Sequence, residues 1–158
     1  MIVSFTGHRP SKTGGYNTPN PTYNYICKEL EKLLSELKPE KCISGMALGF
    51  DTYAAEVCIK LGLPFIAAVP FASQARIWPK TSQDKYEWLL KKASEVVIVS
   101  EGTYSVEKMN IRNHWMVDHA DEVIACFDGT RGGTKNCVDY AISKAKRIYC
   151  IAPTKAPK

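Results

Sequence analysis

Short apolar runs alternate along this chain with longer segments in which apolar residues recur every three or four positions. The runs predict β-strands at residues 2–6, 42–44, 65–69, 96–99, 122–127 and 147–151. The segments between them predict helices at 21–37, 52–61, 83–92, 109–119 and 134–144. Because strands and helices alternate to the end, we predict an α/β fold, a three-layer sandwich whose mostly parallel sheet has five to six strands.

Two of the predicted helices carry start and stop signals. Asn20 is an N-cap residue and Pro21 suits the first helical position of 21–37. Gly62 ends the second helix. Asp51, at the start of that helix, is either its N-cap or a contact to a ribose hydroxyl, and the sequence leaves both readings open.

Length and composition indicate one globular unit. The 158 residues fit a single domain over 1–158, with 152–158 as a flexible tail. Apolar residues make up 45% of the chain and charged residues 23%, and no run approaches the ~20 apolar residues that span a bilayer. The first residues lack the basic region and long apolar run of a secretory signal. We therefore expect a cytoplasmic protein that does not associate with membranes.

Cysteine and histidine spacing suggests no metal site and no cofactor. The six cysteines include no C-x-x-C pair, and Cys42, Cys126 and Cys150 lie in strand-like runs where we expect them to be buried. His114 and His119 are five positions apart on a predicted helix, a spacing that does not align two metal ligands. The net charge of +5 is modest and permits an anionic partner without requiring one.

Glycine-rich polar loops follow three of the predicted strands. Ligands of parallel sheets bind beyond the carboxyl ends of the strands, where backbone N–H groups and helix N-termini converge. Three such loops together predict a phosphate pocket, with Arg112 and Asn113 supplied by a neighbouring helix. The candidate ligand-binding residues are Gly7, His8, Arg9, Ser44, Gly45, Met46, Gly49, Asp51, Arg112, Asn113, Asp128, Gly129, Gly132, Gly133 and Thr134.

Several of these residues also carry a family resemblance that covers nearly the whole chain. Three parts of the sequence carry it: Thr6-Gly7-His8-Arg9-Pro10, the segment from Ser44-Gly45 through Gly49 to Ala54-Ala55-Glu56, and Pro70-Phe71 with Gln74, Trp78 and Tyr86. They resemble the YpsA-type group of the SLOG (SMF/DprA-LOG) superfamily. Residues 44–51 also resemble the S-G-x-A-x-G-x-D turn of DNA-processing protein A, and Arg112-Asn113 resembles its R-N pair. The resemblance implies a Rossmann-like fold, a nucleotide or nucleotide-sugar pocket, and pairing of copies through helices. For such a homo-oligomer, the candidate helices are 21–37 and the one that contains Trp115 and Met116.

One branch of that superfamily hydrolyses nucleoside monophosphates and carries P-G-G-x-G-T-x-x-E. Here Gly132-Gly133-Thr134 matches, but Cys137 stands where the glutamate is expected. Asp139 lies on a different face of the same helix, and Glu56 is a further weak candidate for a catalytic carboxylate. The resemblance therefore does not carry the hydrolytic activity over to this chain.

Three functions are weighed on these observations. The leading one is a sensor or sequestering module that binds a nucleotide or nucleotide-derived ligand, such as an ADP-ribose-like molecule. The alternative is a nucleoside-monophosphate N-glycosidase with Asp139, Glu56 or Asp51 as its carboxylate. Single-stranded DNA binding ranks last, because the sequence lacks a basic stripe interleaved with aromatic residues.

Overall fold

Six strands form one sheet in which all five neighbouring pairs are parallel. A computed structural model describes residues 1–156. The strands are β1 (Ile2–Gly7), β2 (Lys41–Ser44), β3 (Phe65–Val69), β4 (Glu95–Ile98), β5 (Glu122–Cys126) and β6 (Arg147–Ile151). Their order in the sheet is β4-β3-β2-β1-β5-β6. The predicted parallel sheet is confirmed, with six strands.

Five helices cover the two faces of the sheet. They are α1 (Pro21–Leu37), α2 (Phe50–Leu61), α3 (Lys80–Lys92), α4 (Val106–Asp118) and α5 (Gly133–Ser143). Buried residues of α1, α2 and α3 share one core cluster with β1, β2 and β3, whereas α4 and α5 pack on the opposite face. The α/β three-layer sandwich is therefore confirmed. Within the described residues, no helix is long and apolar enough to cross a bilayer.

The two cores follow from the alternation of side chains along each strand. In β3, Phe65, Ala67 and Val69 point to the α1–α3 face, while Ile66 and Ala68 point to α4. A strand with helices on both faces must be apolar at every position, and all five residues of β3 are buried. This explains why the sequence shows continuous apolar runs instead of alternation with polar residues.

Helix α1 begins and ends as its sequence predicts. The Asn20 side chain accepts a hydrogen bond from the backbone N–H of Tyr23 at 2.9 Å, and Pro21 is the first helical residue. Its buried residues Ile26, Leu30 and Leu34 pack on the sheet. Met116 of α4 is buried in the same way on the other face. The apolar faces of the two helices proposed for pairing are therefore largely used within this chain.

The structure excludes one of the two readings of Asp51 and shows that the predicted burial of Cys150 is wrong. Asp51 is not an N-cap, because Gly49, with φ +90°, turns the chain into α2 early and leaves Asp51 inside the first turn. Cys150 is exposed, because β6 is an edge strand. Residues 152–158, predicted as a flexible tail, include a 3-10 turn, Pro153–Lys155, in which Pro153 is buried; residues 157–158 lie outside the described chain.

The order of the strands creates a place for a ligand. The chain adds β2, β3 and β4 on one side of β1, then crosses back and adds β5 and β6 on the other side. The loops that follow β1 and β5 therefore leave the same edge of the sheet toward opposite faces. In open parallel sheets the crevice at such a reversal is the usual ligand site.

Candidate functional site

A cleft of about 540 Å³ opens at this reversal, between the loops that follow β1, β2 and β5 and the start of α4. It brings together residues that lie far apart in the sequence. The residues that line it are Phe5, Thr6, Gly7, His8, Arg9, Ser11, Lys12, Ala47, Asp51, Tyr104, Val106, Met109, Asn110, Arg112, Asn113, Thr130, Arg131, Gly132, Gly133, Thr134 and Asn136.

One end of the cleft is suited to an anion. Helix α5 begins here, its N-cap is Gly132 with φ +144°, and no side chain caps the helix. Its first N–H groups are therefore available to a phosphate, and the helix dipole favours negative charge at this position. Arg9, Lys12 and Arg131 are exposed residues that line the same cleft and add positive charge.

Two buried ionisable side chains, Arg112 and Asp51, line the cleft. Arg112 is only 2% exposed and donates hydrogen bonds from Nη1 to the backbone oxygen of Gly45 and from Nε to Asn113 Oδ1 at 3.1 Å. Asp51 is 7% exposed, and its Oδ2 accepts the backbone N–H of Ala47 at 3.3 Å. Its Oδ1 has no hydrogen-bond partner among the described residues.

Burial dominates the ionisation of both members of the pair. It raises the pKa of the Asp51 carboxyl above its usual range, against the opposing effects of Arg112 and Arg9. Burial also lowers the pKa of Arg112, which stays charged because arginine ionises far above neutral pH. The cleft therefore holds a permanent buried cation next to a carboxyl group that is costly to ionise.

Gly45 allows these two side chains to approach each other. A Cβ atom at this position would lie 2.8 Å from both Arg112 Cζ and Asp51 Oδ2. The hydroxyl of Ser44 holds the turn by donating to the backbone oxygen of Asp51 at 2.9 Å and accepting from the N–H of Met46 at 3.2 Å. Met46 itself is fully buried and adopts a left-handed backbone conformation with φ +59°.

A second polar cluster joins the loops after β1 and β5. His8 Nε2 lies 2.8 Å from Asp128 Oδ1 and 3.0 Å from the backbone nitrogen of Asp128. Lys12 Nζ lies 2.9 Å from Asp128 Oδ2. Hydrogen bonds from Thr130, followed by those from Lys12, hold the pKa of Asp128 well below its usual range. Asp128 is thus an ionised anchor that fixes His8 and Lys12 at the edge of the cleft.

The outer wall of the cleft is apolar. Tyr104 is 66% exposed and Val106 is 64% exposed, and both line the cleft together with Met109. The Tyr104 ring packs edge-on against the buried Phe71, with 6.0 Å between centroids. Exposed aromatic and aliphatic groups beside an anion site suit the planar base of a nucleotide.

The structure brings most, but not all, of the predicted ligand-binding residues to the cleft. Six of them are not lining residues, for reasons that differ. Ser44, Gly45 and Met46 shape the turn beneath the cleft, and Asp128 positions His8. Gly49 is covered by the backbone of His8, since a Cβ there would lie 2.5 Å from the His8 oxygen. Gly129 is exposed beside Asp128.

The other carboxylates considered from the sequence lie elsewhere. Glu56 lines a separate cleft of about 330 Å³, where it accepts hydrogen bonds from Tyr23 at 3.0 Å and Lys85 at 3.2 Å. Asp139 is exposed on α5 and pairs with Lys135 at 2.7 Å. Burial raises the pKa of the Cys137 thiol to about 11, so this group stays neutral and cannot stand in for a glutamate. Of the carboxylates weighed for hydrolysis, Asp51 lines the cleft.

The remaining histidines take part in local packing. His114 stacks on Tyr140 with 3.7 Å between ring centroids, and His119 stacks on Trp115 at 4.0 Å. Among residues 1–156, no cluster of histidine, cysteine, aspartate and glutamate is arranged to hold a metal ion.

Sequence reasoning missed several lining residues that add charge or apolar surface to the cleft, among them Lys12, Arg131, Tyr104, Val106 and Met109. Lys12 and Arg131 lie within the loops already singled out, so their charge next to glycines was a usable signal. Tyr104, Val106 and Met109 belong to the loop after β4 and the start of α4, which α4 brings across the sheet. No local pattern marks these three, because the crossing of α4 is a property of the tertiary fold.

Comparison with known proteins identifies the family. A family model described as the YspA SLOG family (YpsA) matches residues 3–154. The chain belongs to the YspA SLOG family. Among curated proteins, it is 32% identical over 129 residues to the uncharacterized SPbeta prophage-derived protein YoqJ of Bacillus subtilis, covering 71% of this chain and 75% of that protein. It is also 25% identical over 157 residues to a UPF0398 protein of Bacillus thuringiensis, covering 93% of this chain and 85% of that protein.

Solved structures share the fold at low sequence identity. DNA processing protein A from Streptococcus pneumoniae superposes with a TM-score of 0.70 at 18% identity, over 95% of this chain and 50% of that chain. DNA processing protein A from Helicobacter pylori, described for its single-stranded DNA binding mode, superposes with a TM-score of 0.66 at 18% identity, over 96% of this chain and 65% of that chain. This SLOG chain therefore spans about half to two thirds of each neighbour, and the likeness shows the fold.

Proposed function

We propose that the cleft binds a nucleotide or nucleotide-derived ligand through its phosphate, and that the protein acts as a sensor or sequestering module. The observation that carries the proposal is the uncapped N-terminus of α5, which opens at the reversal of strand order next to Arg9, Lys12 and Arg131. A helix N-terminus of this kind supplies oriented N–H donors for a phosphate.

The remainder of the cleft matches the other parts of such a ligand. The buried Asp51 and Arg112 provide polar groups at the centre, and Tyr104 with Val106 provides an apolar wall at the mouth. A phosphate, a sugar and a base carry these three chemistries. Apolar walls with a few placed polar groups are typical of small-molecule sites.

A thermal-shift screen tests this proposal. The purified protein is heated with orthophosphate, nucleoside mono- and diphosphates, NAD, ADP-ribose and its cyclic forms, and each stabilising ligand is then analysed by chromatography. A ligand present at a hundred times its dissociation constant stabilises the fold by ~2.7 kcal/mol. We expect a stabilising ligand that is recovered intact. Failure of every phosphorylated compound to stabilise the protein contradicts the proposal.

N-glycosidase activity is a second candidate, because one carboxylate does line the cleft. Asp51 lies close to Arg112 and lines the same cleft as the N-terminus of α5. In such a reaction water adds its oxygen to C1′ of the sugar, the bond from C1′ to the base breaks, and the base leaves with a proton. Free base and sugar phosphate in the chromatography, lost in Asp51→Asn, identify this activity.

A further inference from the structure

Strand β4 has a neighbour on one side only. It is an end strand of the sheet, and among the described strands β3 alone is hydrogen-bonded to it. An end strand presents unpaired N–H and C=O groups to a further strand, so natural proteins blunt such strands with proline, lysine, a bulge or a covering loop. Residues 93–100 contain no proline, glycine or lysine, and Glu95 is their one charged residue. The sequence of β4 therefore does little to discourage pairing.

The side chains of β4 are exposed although most of them are apolar. Val96 is 45% exposed and Ile98 is 54% exposed. Their partners in β3, Ala67 and Val69, are buried in the core beneath α1, α2 and α3. Because paired residues of neighbouring strands project to the same side of a sheet, Val96 and Ile98 also project to that face. They form an apolar strip at the end of the sheet that residues 1–156 cover only in part.

The opposite end of the sheet is built differently. The exposed residues of β6 are Arg147 and Cys150, and its apolar residues are half-buried or buried. A charged residue on an end strand is one of the features that discourage pairing with another strand. The two ends of the sheet thus differ, and β4 has the composition of an interface.

The charges that flank β4 favour a second copy of this chain as its partner. A two-fold axis perpendicular to the strands makes two identical strands antiparallel, so the residues before β4 of one copy lie next to the residues after β4 of the other. Lys91 and Lys92 precede the strand and Glu101 follows it, and all three are exposed. Antiparallel pairing therefore brings opposite charges together at both ends of the strand, whereas parallel pairing would bring like charges together.

We propose that two copies of the chain pair antiparallel through β4 and form a homodimer in which the two six-stranded sheets become one. The apolar strips of Val96 and Ile98 from both copies meet at the junction. The interface is self-complementary and uses β4 of both copies, so assembly stops at the dimer. This inference goes beyond the proposed function and needs no ligand. It also differs from pairing through α1 or α4, whose apolar faces are largely used within the chain.

The size of the interface sets the expected affinity. Stable complexes bury about 1,600 Å² in total, and a strand of four residues supplies only part of such an area. We therefore expect reversible dimerisation with a dissociation constant on the order of 10–100 μM. Sedimentation velocity of the full chain, from low to high micromolar concentration, measures it. Hydrogen exchange at the same concentrations locates the interface, because the β4 amides should exchange more slowly in the dimer.

A lysine on the strip tests the apolar contact. Val96→Lys places two ammonium groups at the junction, and we expect it to raise the dissociation constant at least about tenfold. Because Val96 is nearly half exposed, the variant should fold, which thermal unfolding checks. Ile142→Lys is the matched control, since it replaces an apolar residue that is 62% exposed on α5 with the same charge. It should dimerise as the unmodified protein does.

Charge reversal tests the direction of pairing. Glu101→Lys should weaken the dimer about 2- to 10-fold, because the symmetry repeats each ion pair. Adding Lys91→Glu to that variant should restore most of the loss, since the opposite charges then face each other again. Failure of the second substitution to restore any affinity overturns the antiparallel arrangement.

The other outcomes are equally decisive. A protein that stays monomeric at every concentration overturns the proposal and leaves β4 to a strand of another protein. A dimer that Val96→Lys leaves intact, or that forms without slower exchange in β4, assigns the interface to another surface such as α1 or α4 and also overturns it. Species that grow beyond the dimer contradict the closed symmetry. Should Val96→Lys not fold, hydrogen exchange and Glu101→Lys still decide.

Discussion

At the scale of single residues, the centre of the cleft depends on the missing side chain at Gly45. Alanine there would place a Cβ 2.8 Å from the Arg112 guanidinium and from Asp51 Oδ2. We expect Gly45→Ala to lower the free energy of unfolding by about 1–3 kcal/mol, because both partners are buried and any shift of them weakens the hydrogen bonds that they make to the backbone of this turn. Urea denaturation followed by circular dichroism measures the change.

Gly133→Ala is the matched control for that variant. A Cβ at Gly133 meets nothing within 4 Å, and the residue is the first of α5. Alanine is the better helix former, so this variant should be as stable as the unmodified protein or slightly more stable. Equal stability of the two alanine variants would show that the contact around Gly45 relaxes without cost.

The role of Asp128, also at the scale of single residues, can be tested through the stability of the protein in acid. Its pKa is lowered in the folded state, chiefly by hydrogen bonds from Thr130, so its ionised form stabilises the fold above the ordinary aspartate pKa of about 3.9. That contribution is lost progressively as the pH falls below this value. We expect Asp128→Asn to have a lower melting temperature than the unmodified protein at pH 7.

The pH dependence of the same comparison is the decisive part. The difference in melting temperature between Asp128→Asn and the unmodified protein should shrink as the pH is lowered from 5 toward 2.5, since below about 3.9 the unfolded state binds a proton that the folded state does not, and this offsets part of the stability that ionised Asp128 provides. A difference that stays constant over this range would mean that Asp128 acts through shape alone.

At the scale of secondary-structure elements, the N-terminus of α5 has two separable roles, as a helix start and as an anion site. Gly133→Asp adds a carboxylate to the first turn, which favours the helix by about 0.3–1 kcal/mol through its dipole. The same charge repels a phosphate at close range and should weaken its binding by at least about tenfold. We therefore expect a variant that is at least as stable and yet binds orthophosphate poorly.

Calorimetric titration and thermal unfolding of Gly133→Asp give the two readouts. Gly133→Asn has nearly the same size without the charge and serves as the control for steric effects. If Gly133→Asn and Gly133→Asp lose phosphate binding equally, the loss comes from crowding of the cleft, and the electrostatic explanation is wrong.

At the scale of the whole molecule, positively charged side chains line the cleft and also lie elsewhere on the surface. Arg131 lines the cleft, whereas Arg147 begins β6 at the opposite, amino-terminal edge of the sheet. We expect Arg131→Ala to weaken orthophosphate binding by about 2- to 10-fold at low ionic strength, and the deficit to shrink in ~1 M salt, where screening acts within ~3 Å.

Arg147→Ala removes the same side chain and the same charge at the far edge, so it is the matched control. Titrations of both variants at two salt concentrations separate a local contact from an effect of net charge. Equal losses in the two variants would show that the overall charge of +5, and no particular arginine, attracts the ligand.

Most of the fold could be predicted because its signals are local. Continuous apolar runs predict strands buried on both faces, and a cap such as Asn20 followed by Pro21 depends only on neighbouring residues. The predicted helix starts were less accurate, because residues that can cap a helix also occur at other positions. Ser105 caps α4 by accepting the N–H of Lys108, so the helix begins at Val106, three residues before the predicted start. Asp51 resembles a cap in sequence, but Gly49 begins the helix before it.

The sequence by itself determined the α/β alternation, the glycine-rich loops and their convergence at one edge of the sheet, because parallel strands joined by helices place those loops together. Only the tertiary structure decided which side chains meet. The burial of Arg112, the unpaired Oδ1 of Asp51 and the apolar wall at Tyr104 depend on packing between segments more than thirty residues apart. Burial and pairing are properties of those long-range contacts, and no local pattern of residues encodes them.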